Sequence, residues 1–412
     1  MYDPLFQLKT IDILSSPGNL EDEILHQSQR YWIAEAIRVT HRAAVHDVFT
    51  DELVGWPQFP RIDRLSPQKT THYSLDPILE SKGTASGLDA MCETMDKVFS
   101  EQLGYDPSGN FSETLHLLYG DEATVKKILD VQKKGRGSRL PHDKYDWVLP
   151  IPGPFLLRRK YMDMIHDVFS GPEDASCTSS LNHSQRLLGL EQGRKSPFRH
   201  KEEVAMQGFD ARVTGLYYQL FLPPGVTDLD QQEHAQKVND HIRRSGRAGF
   251  LDAVERIRDY IFPLYIPMSG QRDEFAAHAL FLQQMEVYKT WKLAIKLADI
   301  GMIRRVIARV CLLMGGAYEY DMPSFYMAIL ACTAAADKDL QRAILANGLI
   351  NLRGAEDSWF EVDRVNERFN IQMKDTLSKQ HISSIDDVAT LFREAALTSE
   401  HSRNPREPVE HH

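Results

Sequence analysis

The chain has 412 residues, of which 42% are hydrophobic and 26% charged, and its formal net charge is −10. These values exclude a generally disordered, collagen-like or disulfide-dense chain, and at ~100–200 residues per domain they predict two or three lobes. No run of ~18 uncharged apolar residues occurs, so no membrane span is expected, and Met1 to Lys9 lacks the basic and apolar regions of a secretory signal. Cys92, Cys177, Cys311 and Cys332 lie far apart with no CxxC pair, which argues against a zinc site or a disulfide framework and for a reducing compartment, nucleus or cytoplasm. The acidic balance leans away from a dedicated nucleic-acid binder. Charge is unevenly placed, however: residues 121–160 hold ten bases against five acids, and residues 181–201 hold five against one. A basic face on an acidic protein and a solvated mixed-charge surface are both compatible with that pattern.

In chain order, residues 19–49 predict one long helix, with Asn19 as N-cap and Glu21, Asp22 and Glu23 at the positive end of its dipole. Prolines at 57, 60, 67 and 77 make the next stretch an extended connection, and helix returns over 86–103. A buried strand is predicted within Phe111 to Tyr119, a helix over 123–134, a second strand over Trp147 to Ile151 and a second helix over Phe155 to Phe169. That alternation argues for a parallel pairing with helices on its faces. Residues 173–200, rich in Ser, Gly, Asn and bases, read as a long loop. Helical periodicity then dominates: 209–221, 230–261 with an interruption near Gly246–Gly249, 272–298, 300–314, 323–336, 338–351, 358–379 and 384–398. The expected organisation is a helical region with an extended connection over 1–110, an α/β core with a basic loop over 111–200, helices over 201–352, and C-terminal helices with a frayed tail over 353–412.

Four groups of residues carry chemical potential. Pro150, Pro152, Gly153 and Pro154 around a strand end fix a rigid backbone path, and His142 and Asp146 before it are loop residues or a dyad. Asp121 follows a buried strand and precedes a helix, where open α/β sheets place functional groups; it is a candidate ligand for a hard cation, or simply the N-cap of that helix. Asp363, Glu367 and Asn370 share one face of the 358–379 helix, with Glu361 on another, and suit either cation coordination or an ordinary polar face. Lys133, Lys134, Arg136, Arg158, Arg159, Lys160, Arg194, Lys195, Arg199 and Lys201, with Phe198 among them, are the candidates for phosphate contact. No P-loop, GxSxG, HExxH or dinucleotide fingerprint is present.

Five segments, taken together, carry a family resemblance. They are Lys69-Thr70, Gly120-Asp121-Glu122-Ala123-Thr124, Lys195-Ser196-Pro197-Phe198-Arg199-His200-Lys201, Thr290 through Gly301, and Leu345 through Glu367. The chain resembles, from about Asp12 to Lys379, an uncharacterised fungal family frequent in transposon-like surroundings. The resemblance implies a predominantly helical α/β fold: a small ribonuclease-H-like sheet with a large helical insertion, similar to a transposase core. It makes Asp121 the acid of the fourth strand and metal ligand, and Glu361, Asp363 or Glu367 the late acid. The first acid would lie upstream of where this chain begins, and Leu156 stands where relatives tend to show His. The resemblance therefore implies a non-catalytic, transposase-derived protein with an incomplete acidic site. No cofactor is expected, with Mg²⁺ or Mn²⁺ bound only by a competent site; DNA is the implied partner and the nucleus the implied location. A metal-dependent nuclease or transposase, and a helical protein-binding scaffold using residues 272–351, are the rival readings.

Overall fold

The computed structural model describes residues 19–50, 54–71, 88–104, 114–140, 142–172, 177, 180–190, 196–222, 231–262, 274–316, 326–327, 338–368 and 371. In chain order the elements are α1 (Asn19–Thr40), α2 (Arg42–Val48), α3 (Leu88–Asp96) continuing as a π-helical turn Lys97–Gln102, β1 (His116–Gly120), α4 (Glu122–Gly135), β2 (Val148–Pro152), α5 (Pro154–Phe169), α6 (Leu181–Leu187), α7 (Phe198–Phe221), α8 (Gln231–Ile261), α9 (Glu274–Lys296), α10 (Ile300–Gly316), α11 (Lys338–Asn347), β3 (Leu349–Asn351) and β4 (Trp359–Glu361), followed by helical residues 362–368. The fold is predominantly helical, as expected, and the described residues form two small sheets. The chain divides into two compact units, Met1–Leu65 with Leu157–Lys338, and Ser66–Leu156 with Asp339–His412.

Several boundaries differ from expectation for local reasons. The single helix expected over 19–49 breaks at His41 (φ −123°, ψ 42°). Thr40 Oγ1 donates back to the carbonyl oxygen of Ala36 at 3.0 Å, a bond that weakens the ladder at that turn. Within the stretch expected to be loop, Ser180 Oγ accepts the His183 N–H at 3.1 Å and starts α6. Helix α7 begins at Phe198, eleven residues before the expected start at 209, directly after Pro197. The interruption expected near Gly246 is present, with φ 61° at that residue. The 338–351 segment turns from α11 into β3, and 358–379 opens as β4, because Leu349 to Asn351 pairs antiparallel with Trp359 to Glu361. The 384–398 segment lies outside the described residues, as does all of 323–336 except 326–327.

The helical unit packs around α9. Its Phe281, Met285, Tyr288, Trp291 and Ala294 are buried, and so are its polar Gln284, Glu286, Lys289 and Thr290. A helix buried all round must satisfy its polar groups internally. Glu286 accepts from Ser28 (2.7 Å) and Thr290 (3.0 Å), and Lys289 Nζ donates to Asp210 at 2.7 Å. Arg158 donates to Glu202 at 3.2 Å and to Tyr288 Oη at 2.7 Å. Asp299 clamps the entry to α10: its carboxylate accepts the N–H groups of Ile62 (2.8 Å), Asp63 (3.0 Å) and Met302 (2.9 Å).

The α/β unit is built on β1 and β2, which pair in parallel from His116 opposite Val148 to Gly120 opposite Pro152, with α4 as the crossover. Ile128 and Val131 of α4 bury against Met95, Phe99, Tyr145, Trp147 and Val148. In the β3–β4 hairpin, Asn351 accepts the N–H groups of Arg353 (3.2 Å) and Gly354 (2.8 Å) and donates to Ala355 O (2.8 Å). Gly354 takes φ 77°, and Thr70 exchanges bonds with the Asn351 backbone. The distant Lys69-Thr70 and Asn351-to-Gly354 segments are thus parts of one structural corner.

Candidate functional site

The carboxyl ends of β1 and β2 form the place where an α/β unit exposes chemistry. Gly120 ends β1, and its carbonyl oxygen accepts the Gly153 N–H at 2.8 Å. Asp121 follows in extended conformation, and its Oδ1 accepts the Thr124 N–H at 2.7 Å. Asp121 is therefore an exposed N-cap of α4. Beyond β2, Pro154 occupies the first helical position of α5, where its missing N–H costs nothing.

Asp363, in the first turn after β4, reaches the start of α5. Its Oδ1 accepts the Phe155 N–H and its Oδ2 the Leu156 N–H, both at 3.0 Å. A carboxylate at a helix N-terminus satisfies unpaired donors and the dipole together. It lies so close over Gly153 that a Cβ there would come within 2.1 Å of Oδ2, so only glycine fits. Burial pushes the Asp363 carboxyl up to about 6; the two backbone donors oppose this, and the neighbouring charge of Glu361 adds to it. Glu361 is fully buried, 3.9 Å from Arg364 Nη1. Glu361 ends a strand rather than occupying a helix face, Glu367 is half-buried, and Asn370 lies outside the described residues.

The acids are engaged as acceptors within the fold. Both oxygens of Asp363 hold backbone N–H groups, Asp121 Oδ1 holds another, and among the described residues no three His, Cys, Asp or Glu side chains converge as a metal site requires.

The basic candidates separate by burial. Lys133, Lys134 and Arg136 stand exposed at the C-terminal end of α4, where cations also suit the helix dipole. Arg159 and Arg199 are exposed and Lys160 half-buried. Arg158 and Lys201 are corrections to the phosphate-contact set. Arg158 is 1% exposed in its Glu202–Tyr288 network, and Lys201 is 5% exposed with Nζ 2.7 Å from Asp163. Both charges are used inside the fold. Arg194 and Lys195 lie outside the described residues. These two structural roles were not legible in the sequence, since no local spacing links Arg158 to Glu202 or Lys201 to Asp163.

The model of a family of unknown function (DUF6589) matches residues 7–398. No curated protein and no solved structure matches the chain. The chain belongs to that family of unknown function.

Proposed function

We propose that this family member is a nucleic-acid-associated, non-catalytic protein descended from a ribonuclease-H-like transposase of fungal transposons. The observation that carries the association is the exposed basic end of α4, Lys133, Lys134 and Arg136, on a chain whose net charge is −10. A local cluster of cations on an acidic protein binds phosphates by releasing counterions, whatever the overall charge. The non-catalytic part is supported by the structural use of the acids: Asp121 caps α4 and Asp363 anchors α5. The test is fluorescence anisotropy with a short DNA duplex and a single strand at low salt. The chain is expected to bind one or both, and replacing Lys133, Lys134 and Arg136 with Glu is expected to weaken binding at least tenfold. Equal binding by that variant would contradict the assignment of the surface.

A metal-dependent nuclease is the second reading, and its supporting observation is the adjacency of the buried Glu361 and Asp363 carboxyls. Mn²⁺-dependent cleavage of labelled duplex that disappears in Asp363→Asn, with the fold retained by circular dichroism, would establish it over the first.

A further inference from the structure

The two edges of the β1–β2 sheet differ in what they offer a further strand. The bonds from His116 N to Trp147 O and from Gly153 N to Gly120 O set the parity of the ladder. The backbone groups of His116, Leu118 and Gly120 face β2, and those of Leu117 and Tyr119 face the opposite side. On β2 the outward residues are Val148, Pro150 and Pro152. The prolines have no N–H. The Val148 N–H is held by Tyr145 O at 3.1 Å, and its carbonyl accepts Gln132 Nε2 at 2.6 Å. The outer edge of β2 therefore has no donor left.

Among the described residues the edge of β1 is open by contrast. Among the described residues the outward N–H and C=O groups of Leu117 and Tyr119 meet no strand, since this sheet has two. A groove of about 490 Å³ runs beside it, lined by Leu115, His116, Leu117, Tyr119, Leu340, Ala343 and Asn347. Tyr119 Oη donates to the carbonyl oxygen of Ile344, which fixes α11 alongside the strand. Among the described residues no carboxylate, ammonium or guanidinium lines the groove, and a charged side chain entering it would lose hydration there without a partner. The volume falls in the range of ~300–1,000 Å³ typical of ligand sites. Two short parallel strands are also fewer than a stable parallel sheet ordinarily uses.

We propose that the open edge of β1 docks an extended, uncharged peptide segment of a partner protein, which adds as a third strand through the backbone of Leu117 and Tyr119. Main-chain bonds would supply affinity, and the groove beside α11 would select small or apolar side chains at alternate positions. The surface lies apart from the exposed cations of α4 in chemistry, so this inference does not depend on nucleic-acid binding.

The probe is a synthetic five-residue Thr-Val-Thr-Val-Thr peptide flanked by lysines, with a control N-methylated at the residues whose N–H would face β1. Binding is measured by anisotropy on the full chain, and backbone exchange at Leu117 and Tyr119 by hydrogen–deuterium methods. The expected result is binding by the parent peptide, slowed exchange at both amides, and at least tenfold weaker binding by the N-methylated control and by Ala343→Lys. Ala343 is half-buried on α11, so lysine there is tolerated by the helix while placing a charge in the groove. Absence of binding, or equal binding by the methylated peptide, would overturn the proposal. So would slow exchange at both amides in the free chain, because a strand of the chain itself would then hold that edge.

Discussion

At the start of α5 two backbone N–H groups lack helical partners, and Asp363 takes both. Its carboxyl is raised from 3.8 to about 6, so the folded chain holds this proton more tightly than the unfolded one. The contribution to stability is therefore fully present below pH ~4 and is lost as pH rises through about 6. Two pH units correspond to roughly 3 kcal/mol. Urea unfolding of the wild type is predicted to weaken by an amount of that order between pH 4 and 7, and Asp363→Asn is predicted to flatten that slope. An unchanged slope would remove Asp363 from the account. Gly153→Ala drives a Cβ into the same carboxylate and is predicted to cost about 1–3 kcal/mol in the same measurement. In the sequence, Gly153 was legible only as part of a rigid Pro-Gly-Pro path. Asp363 was legible as one of the polar residues sharing a helix face, but its partner lies 208 residues away in the chain and no local pattern points there.

Elements were legible where one face carries the apolar period, and illegible where tertiary contacts decide. Helices α4 and α5 and strands β1 and β2 fell close to expectation, since turn residues bound each of them. Strand β4 was read as helix because Trp359, Val362 and Val365 also fit a helical spacing; pairing with β3 settled it. Helix α7 was cut short because Arg199, His200 and Lys201 interrupt the apolar pattern in its first turn, yet Lys201 is buried there on Asp163. Asp299 joins elements in the same way. Asp299→Ala removes the acceptor of three backbone donors and is predicted to destabilise the helical unit by about 2–4 kcal/mol in urea unfolding. Arg158→Met breaks a buried pair with Glu202 and is predicted to cost ~3–5 kcal/mol.

The two units are predicted to answer acid in opposite ways. In the helical unit His166 is fully buried, and burial, followed by the Lys201 ammonium, lowers its pKa below 6.5. A histidine held neutral by the fold contributes stability above its unfolded pKa and loses it as pH falls through that value. Burial lowers His41 too. Hydrogen exchange followed peptide by peptide is predicted to show the helical unit opening more readily at pH 5 than at pH 7 from these groups, and the α/β unit opening less readily through Asp363. Parallel responses would contradict these assignments. At this scale the sequence displayed the uneven charge but not its disposition: Lys133, Lys134 and Arg136 are exposed, whereas Arg158 and Lys201, equally basic in the chain, serve the interior.

The most direct test of nucleic-acid association through α4 is the salt dependence of duplex binding, measured in parallel for the wild type and for Lys133, Lys134 and Arg136 each replaced by Ala together. The account predicts a falling line of log affinity against log salt, shallower by roughly 2–3 in slope for the triple variant, since each lost phosphate contact removes about 0.9. Binding with no salt dependence, or the same slope in both proteins, would contradict it.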